Sequence, residues 1–180
     1  LVTALTGQKI GGTIGLNADA SVNGDGSFSG SADLAGAGMR WGSEDLQKIL
    51  GSTLALKANG KGEKNAYTLN LETVKAGIIS ASGNAALDAS ANTANAVLTA
   101  AISDISPLLS GAAGSLTAKA DVSGAFDAPA FSVTVTSNSM ELTETKAGAG
   151  FGGINAAIQG NASLKAEKTV HATASASMEK

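Results

Sequence analysis

Thr13-Ile14-Gly15-Leu16-Asn17-Ala18-Asp19-Ala20-Ser21-Val22 alternates without a break between apolar residues and small or polar ones. A period of two is the signature of a strand with one face sheltered and one face wet. Asn23-Gly24-Asp25-Gly26 follows, a cluster whose residues favour tight turns. The next run then resumes the alternation, with Phe28, Gly30, Ala32 and Leu34 on one side and Ser27, Ser29, Ser31 and Asp33 on the other. Two such runs around an Asn-Gly/Asp-Gly turn predict a β-hairpin.

The same grammar continues along the chain. Leu54, Leu56 and Ala58 lead into Asn59-Gly60-Lys61-Gly62, which is expected to turn the chain back into Tyr67, Leu69 and Leu71. Further alternating sets are Ile79 to Leu87, Ala94 to Ile102 (through Leu98), Leu116 to Val122, and Phe131, Val133 and Val135. A separate short run holds Met140 and Leu142, and the last two hold Ile154, Ile158 and Leu164, then Val170 to Met178. Short connections make the pairings mostly antiparallel. The expected fold class is therefore all-β, an elongated antiparallel-rich sheet.

Two stretches break the alternation and predict short helical turns. Ser43 can cap a helix over Glu44-Asp45-Leu46-Gln47-Lys48-Ile49-Leu50, with Gly51 as its stop. Ser103 to Gly111, with Pro107 tolerated in a first turn, is expected to be a shorter counterpart. Each precedes a fresh set of strands, which suggests a weak internal repeat over about 43–102 and 103–180 within one elongated segment spanning 1–180.

Composition narrows the function. Hydrophobic residues are 43% of the chain, yet aromatics are 3% and charged residues 15%, and 23 residues are glycine. Much of the apolar count is alanine, which buries little area, so a thick core is hard to build and a thin, extended sheet fits better. The net charge of −3 and the scatter of lysines from Lys9 to Lys180 leave no basic stripe, which argues against a nucleic-acid partner. No cysteine is present, excluding disulfides and thiolate chemistry. No window has the apolar length of a spanning helix, and no leader pattern opens the chain. The chain starts on Leu1 in mid-pattern and is expected to be an excerpt of a longer protein.

Catalytic and cofactor motifs are thin, and no enzyme, metal or cofactor is expected. His171, the single histidine, falls on the polar side of the last run, where a solvent-facing residue is the plain reading. Asn23 to Gly26 resembles a fragment of a calcium-binding glycine/aspartate repeat but occurs once. Gly148-Ala149-Gly150-Phe151-Gly152-Gly153 contains Gly-x-Gly-x-x-Gly, but the residues after it alternate as a strand, whereas a dinucleotide fingerprint must open a helix. Trp41 is expected to pack rather than to anchor at a membrane interface. What remains is collective: about ten strands at roughly 4.8 Å each give one apolar surface about 50 Å long. That surface is either a closed core or an open trough for acyl chains, because both demand the same alternation.

Gly114-Ser115-Leu116 through Val122-Ser123-Gly124-Ala125-Phe126-Asp127-Ala128-Pro129-Ala130-Phe131 has the form Gly-x-Leu, alternation, then Val-x-Gly-x-Phe-x-x-Pro-x-Phe. With the turn from Asp104 to Gly111 before it and Met140-Glu141-Leu142 after it, this stretch resembles the repeated unit of the TamB family. These are inner-membrane components of the translocation and assembly module, related to AsmA-like proteins. Asp45 to Leu87 looks like a second, divergent copy.

The resemblance implies a β-taco, a curled sheet with a hydrophobic groove, in the periplasmic part of an inner-membrane-anchored protein of a Gram-negative bacterium. It also implies phospholipid acyl chains, or nascent outer-membrane protein segments, as cargo, and an Omp85-type partner engaged through regions outside this segment. No partner-binding role is therefore carried onto any residue here. The expected groove lining is the apolar set named above: Ile14, Leu16, Val22, Phe28, Leu34, Leu54, Leu56, Leu69, Leu71, Ile79, Leu87, Leu98, Leu116, Val122, Phe131, Val133, Val135, Leu142, Ile154, Ile158 and Leu164. Exposed terminal strands leave an edge-to-edge homodimer open. The competing reading is an adhesin-type passenger with a closed β-solenoid core, and an outer-membrane barrel is disfavoured because Trp41 and Tyr67 cannot supply two aromatic girdles.

Overall fold

The computed structural model describes residues 10–109, 111–125, 127–142, 150–151, 153–163 and 169–179. Strands β1 (Gly11–Val22), β2 (Phe28–Arg40), β3 (Thr53–Glu63), β4 (Ala66–Ala76), β5 (Ile79–Asp88) and β6 (Thr93–Ile102) follow one another with a single helix, α1 (Glu44–Leu50), between β2 and β3. Then come β7 (Ala112–Ala125), β8 (Ala128–Leu142), the short β9 (Gly150–Phe151), β10 (Gly153–Ser163) and β11 (Thr169–Glu179). They form one sheet in chain order, β1 to β8, then β10 and β11, with β9 beside β8. Every neighbouring pair is antiparallel. The sheet is open and curled, and the all-β reading of the alternation holds.

The ends of the strands differ in chemistry. At one end the connections are tight polar turns. Asn23 closes the β1–β2 turn by donating its N–H to the Ser27 carbonyl at 2.8 Å, and Asp25 Oδ1 accepts the Ser27 N–H at 2.9 Å and its hydroxyl at 2.7 Å. Asp88 does the same for Ser90 between β5 and β6. At the other end the connections carry the apolar breaks in the pattern. Ser43 caps α1 by accepting the Leu46 N–H, and Gly51 donates to the Gln47 carbonyl at its close. Trp41 donates its indole N–H to the Gly51 carbonyl at 2.7 Å, so it packs against the helix end as expected.

Three expectations need correction. The chain does not turn at Asn59 to Gly62; β3 runs on through them, and the turn falls at Lys64-Asn65, with Lys64 at φ 53°. Gly60 and Gly62 fill apolar-face positions within the strand; at Gly62 the Phe28 and Tyr67 rings take the space a side chain would need, and at Gly60 a β-carbon would stand 3.1 Å from the Thr68 carbonyl. Among its described residues the stretch 103–111 makes a single turn and no helix. Leu109 donates to the Ile105 carbonyl at 3.0 Å and the turn is not continued, while Asp104 draws the chain into a polar turn through the Ser106 N–H and hydroxyl. The run at Met140 and Leu142 is no separate strand: an irregularity opposite Ala113/Ser115 carries β8 through to Leu142.

Burial is concentrated at the helix end. Met39 is 2% exposed and Ile105 3%, with Ala76, Ala112 and Ser137 also buried. Met39 folds back over Gly36: a β-carbon at Gly36 would stand 3.1 Å from the methionine sulfur and 3.0 Å from Leu54 Cβ. Gly77 (φ 53°) lies so close under the Ile49-Leu50-Gly51 backbone that a β-carbon would collide, and Ile78 donates to the Ile49 carbonyl at 3.0 Å. Among the described residues the core is thus a small plug of buried side chains at one end of a single-layer sheet, with Met39 beside α1 and Ile105 beside β7.

Candidate functional site: one continuous apolar face

Residues directly opposite one another in an antiparallel ladder project to the same face. Following the register from β1 to β8 therefore sorts the predicted lining into rows. One row is Leu16, Leu34, Leu56, Val74, Ala81, Ala100, Ala118 and Val135. Towards the plug lies Ile14, Gly36, Leu54, Ala76, Ile79, Ile102, Leu116 and Ser137. On the other side lies Ala18, Ala32, Ala58, Leu71, Gly83, Leu98, Ala120 and Val133, then Ala20, Gly30, Gly60, Leu69, Ala85, Ala96, Val122 and Phe131. The outermost row begins Val22, Phe28, Gly62, Tyr67 and Leu87. All the expected lining residues from Ile14 to Val135 thus share one face. Backbone register sets Leu142 opposite Ala112, Ile154 opposite Met178, and Ile158 opposite Val133 and Ala174. Leu164 lies outside the described residues.

Val74 belongs to this face and breaks the simple count, because Leu71 and Val74 are three apart. Lys57 pairs with Thr73 but the next residue, Ala58, pairs with Leu71, so Glu72 and Thr73 together stand where a regular strand has one residue. This bulge returns Val74 and Ala76 to the apolar side. The signal was present in the sequence as the jump from Leu69 and Leu71 to Val74 and Ala76. Met39 and Ile105, the two most buried apolar side chains among the described residues, carried no such signal: Met39 lies at the end of β2 and folds over Gly36 of the same strand, and Ile105 lies in the connection between β6 and β7.

The face is open along its length. None of the seventeen lining residues from Ile14 to Val135 is buried; Leu34, Leu54, Leu56, Leu116 and Val133 are half-buried, whereas Leu16 is 63% exposed, Leu69 56% and Leu98 45%. Leu69, Leu71, Gly83, Ala85, Ala96 and Leu98 line a shallow hollow of about 170 Å³ on it. Phe28 and Tyr67 lean together over Gly62, with ring centroids 6.1 Å apart, and make the bulkiest point of the outer row.

The opposite face is polar. Asp33 meets Lys57 at 3.1 Å directly across β2 and β3, and Lys119 meets Asp121 at 3.0 Å along β7, all about half-exposed pairs that favour solubility more than stability. Asn59, Asn70 and Asn84 stand in one cross-strand row, and Asn59 donates to Glu72 at 2.6 Å. A larger hollow, about 410 Å³, lies among Asp19, Ser31, Asn59, Lys61 and Thr68. Its lining mixes these polar side chains with Ala20, Gly30 and Gly60. The carboxyls of Asp25, Asp88 and Asp104 are held below the usual aspartate range. The Ser27 hydroxyl does this first for Asp25, the Ser90 hydroxyl for Asp88 and the Ser106 N–H for Asp104.

Among the described residues no group of His, Asp and Glu is placed to hold a metal ion, and no helix is long and apolar enough to cross a membrane. The residues after the Gly-x-Gly-x-x-Gly stretch form the strand β10, not a helix, while Gly148, Ala149 and Gly152 lie outside the described residues. His171 pairs in register with Asn161. No protein-family model, curated protein or solved structure matches the chain.

Proposed function

We propose that this chain is a groove segment of a TamB-like periplasmic protein, without chemistry of its own, whose apolar face guides phospholipid acyl chains between the inner and outer membranes. The observation that carries the reading is that large aliphatic side chains stand exposed in continuous rows across a single-layer sheet, with Leu16, Leu69 and Leu98 all more than 40% open to solvent. An acyl chain laid across such rows leaves water at about 0.8 kcal/mol per buried methylene. The path is graded by side-chain size rather than closed by a pocket, so it accepts a chain without reading its headgroup. The few buried apolar side chains, Met39, Ile105 and Ala112 among them, gather at one end of the sheet, and the polar face keeps the outer surface solvated. A passenger with a parallel solenoid core is less well supported, because every neighbouring pair of strands here is antiparallel.

The test is native mass spectrometry of the chain after bacterial expression, with lipid extraction of the same sample. Phospholipid is expected to co-purify. Leu69→Asp and Leu98→Asp, which place charge on exposed face positions and so leave the fold intact, are expected to lose most of it. Lys119→Glu on the polar face is expected to keep it. Equal loss from Leu69→Asp and Lys119→Glu, or a lipid-free wild type that takes up no fluorescent fatty acid, overturns the groove. Co-purification of unfolded outer-membrane protein in place of lipid changes the cargo from acyl chain to polypeptide.

A further inference from the structure

Asn-Gly and Asp-Gly pairs are places where a chain can react with itself. The backbone nitrogen of the glycine can attack the side-chain carbonyl before it, and the missing β-carbon leaves the approach open. The sequence holds three such pairs, Asn23-Gly24, Asp25-Gly26 and Asn59-Gly60. The fold treats them differently. Asn59-Gly60 lies inside β3, between β2 and β4. Gly60 stands opposite Gly30 on one side and Leu69 on the other, and the ladder of an interior strand takes up each N–H. The Asn59 amide is held across the strands by Glu72 at 2.6 Å. In Asp25-Gly26 the Gly26 N–H is occupied by the Asn23 carbonyl at 3.0 Å. The Asp25 carboxylate accepts from the Ser27 N–H and hydroxyl, and an ionised carboxylate held in this way is a poor electrophile.

Asn23-Gly24 has neither protection. Both residues are exposed in the turn between β1 and β2. The Gly24 N–H has no hydrogen-bond partner among the described residues, and nothing stands within 4 Å of where its β-carbon would be. The Asn23 amide nitrogen donates to the Ser27 hydroxyl at 2.9 Å, a bond between two solvated side chains. We propose that Asn23 is a site of self-modification, converted through a succinimide to aspartate and isoaspartate, while the fold protects Asn59 and Asp25.

The Gly24 nitrogen loses its proton to hydroxide and bonds to Asn23 Cγ. The Cγ–Nδ2 bond breaks, and the nitrogen leaves as ammonia. Water then opens the ring. Addition at Cγ gives aspartate on the original main chain, whereas addition at the backbone carbonyl routes the main chain through Cγ and gives isoaspartate. Water and hydroxide are the only co-reactants. Either product adds a negative charge beside Asp25 and removes the donor to Ser27 Oγ. Isoaspartate also lengthens the main chain by one carbon and displaces the carbonyl that accepts the Gly26 N–H. The hairpin that sets Val22 opposite Phe28 in the outermost row is thereby loosened. The reaction depends on the turn alone and stands whether or not the apolar face carries lipid.

The test is a time course of the full chain at mildly alkaline pH, below its unfolding temperature, read by peptide mapping with tandem mass spectrometry. The folded chain is expected to exchange NH for O at Asn23, in two chromatographically distinct products, and faster as pH rises. Asn59 is expected to stay intact. In urea, where the ladder is gone, Asn59 is expected to convert as fast as Asn23, which separates the effect of the fold from that of the sequence. Gly24→Ala puts a β-carbon beside the attacking nitrogen at a turn position with open space around it. It is expected to slow conversion about tenfold, equivalent to about 1.4 kcal/mol on the barrier. An intact Asn23 in the folded chain, equal conversion of Asn23 and Asn59 before unfolding, or isomerisation of Asp25 ahead of Asn23 overturns the proposal.

Discussion

Truncating Met39 and Leu69 to alanine, one at a time, separates an open face from a packed one. Met39 is 2% exposed, lies on Gly36 and closes the plug with α1, so its truncation leaves a cavity. Such a change costs about 2–5 kcal/mol. Leu69 is 56% exposed, which leaves somewhat under half of its surface covered. Full burial of a leucine contributes about 1.5–3 kcal/mol, so Leu69 contributes about 0.7–1.3 kcal/mol to folding. Urea unfolding followed by far-UV circular dichroism reads the difference, with Trp41, the single tryptophan, as a second probe beside the plug. The expected result is a loss for Met39→Ala at least twice that for Leu69→Ala, with unchanged dependence on urea concentration. A loss for Leu69→Ala equal to that for Met39→Ala would refute the reasoning, since only a leucine packed on all sides loses so much.

Gly62→Val is expected to destabilise by about 1–3 kcal/mol, because its side chain must displace the Phe28 and Tyr67 rings. The cost should shrink in a Phe28→Ala background, and additive losses in the double variant would show that the ring is not the obstacle. Ser137→Ala is expected to stabilise by about 1 kcal/mol, since the buried hydroxyl has no hydrogen-bond partner among the described residues and the substitution removes it; a lower unfolding midpoint would mean that the hydroxyl is satisfied. Asp25, Asp88 and Asp104 have depressed folded pKa values, so their contribution is present above the unfolded aspartate value of about 3.9 and is lost as pH falls below it. The triple alanine variant is therefore expected to lose less stability than wild type between about pH 5 and pH 2, and an identical acid slope would count against the three turns.

The alternation from Thr13 to Val135 was enough to name the strands and to say which residues share a face, because in a strand neither depends on anything beyond parity. The first turn was legible for a similar reason: Asn23 to Gly26 satisfy their own backbone locally. Errors came where one residue's role depended on a distant neighbour. Gly60 and Gly62 look like a turn until β3 is seen to run through them, with Phe28 and Tyr67 taking the space beside Gly62. Val74 looks misplaced until the register with Lys57 and Ala58 reveals the bulge. Met39 looks like an ordinary strand-end residue and Ile105 like an ordinary connection residue until the fold buries them.

By itself, then, the sequence determined an antiparallel sheet with one apolar and one polar face. Parity is a property of the local backbone, and each Ile, Leu or Val declares its side through it. Only the tertiary structure decided that the apolar face is left open across the described residues and that Met39 and Ile105 are buried at the helix end of the sheet. A closed core and an open trough place identical demands on a strand's alternation. They differ in whether a second layer arrives to cover the face, and across the described residues Leu16, Leu69 and Leu98 remain in contact with water.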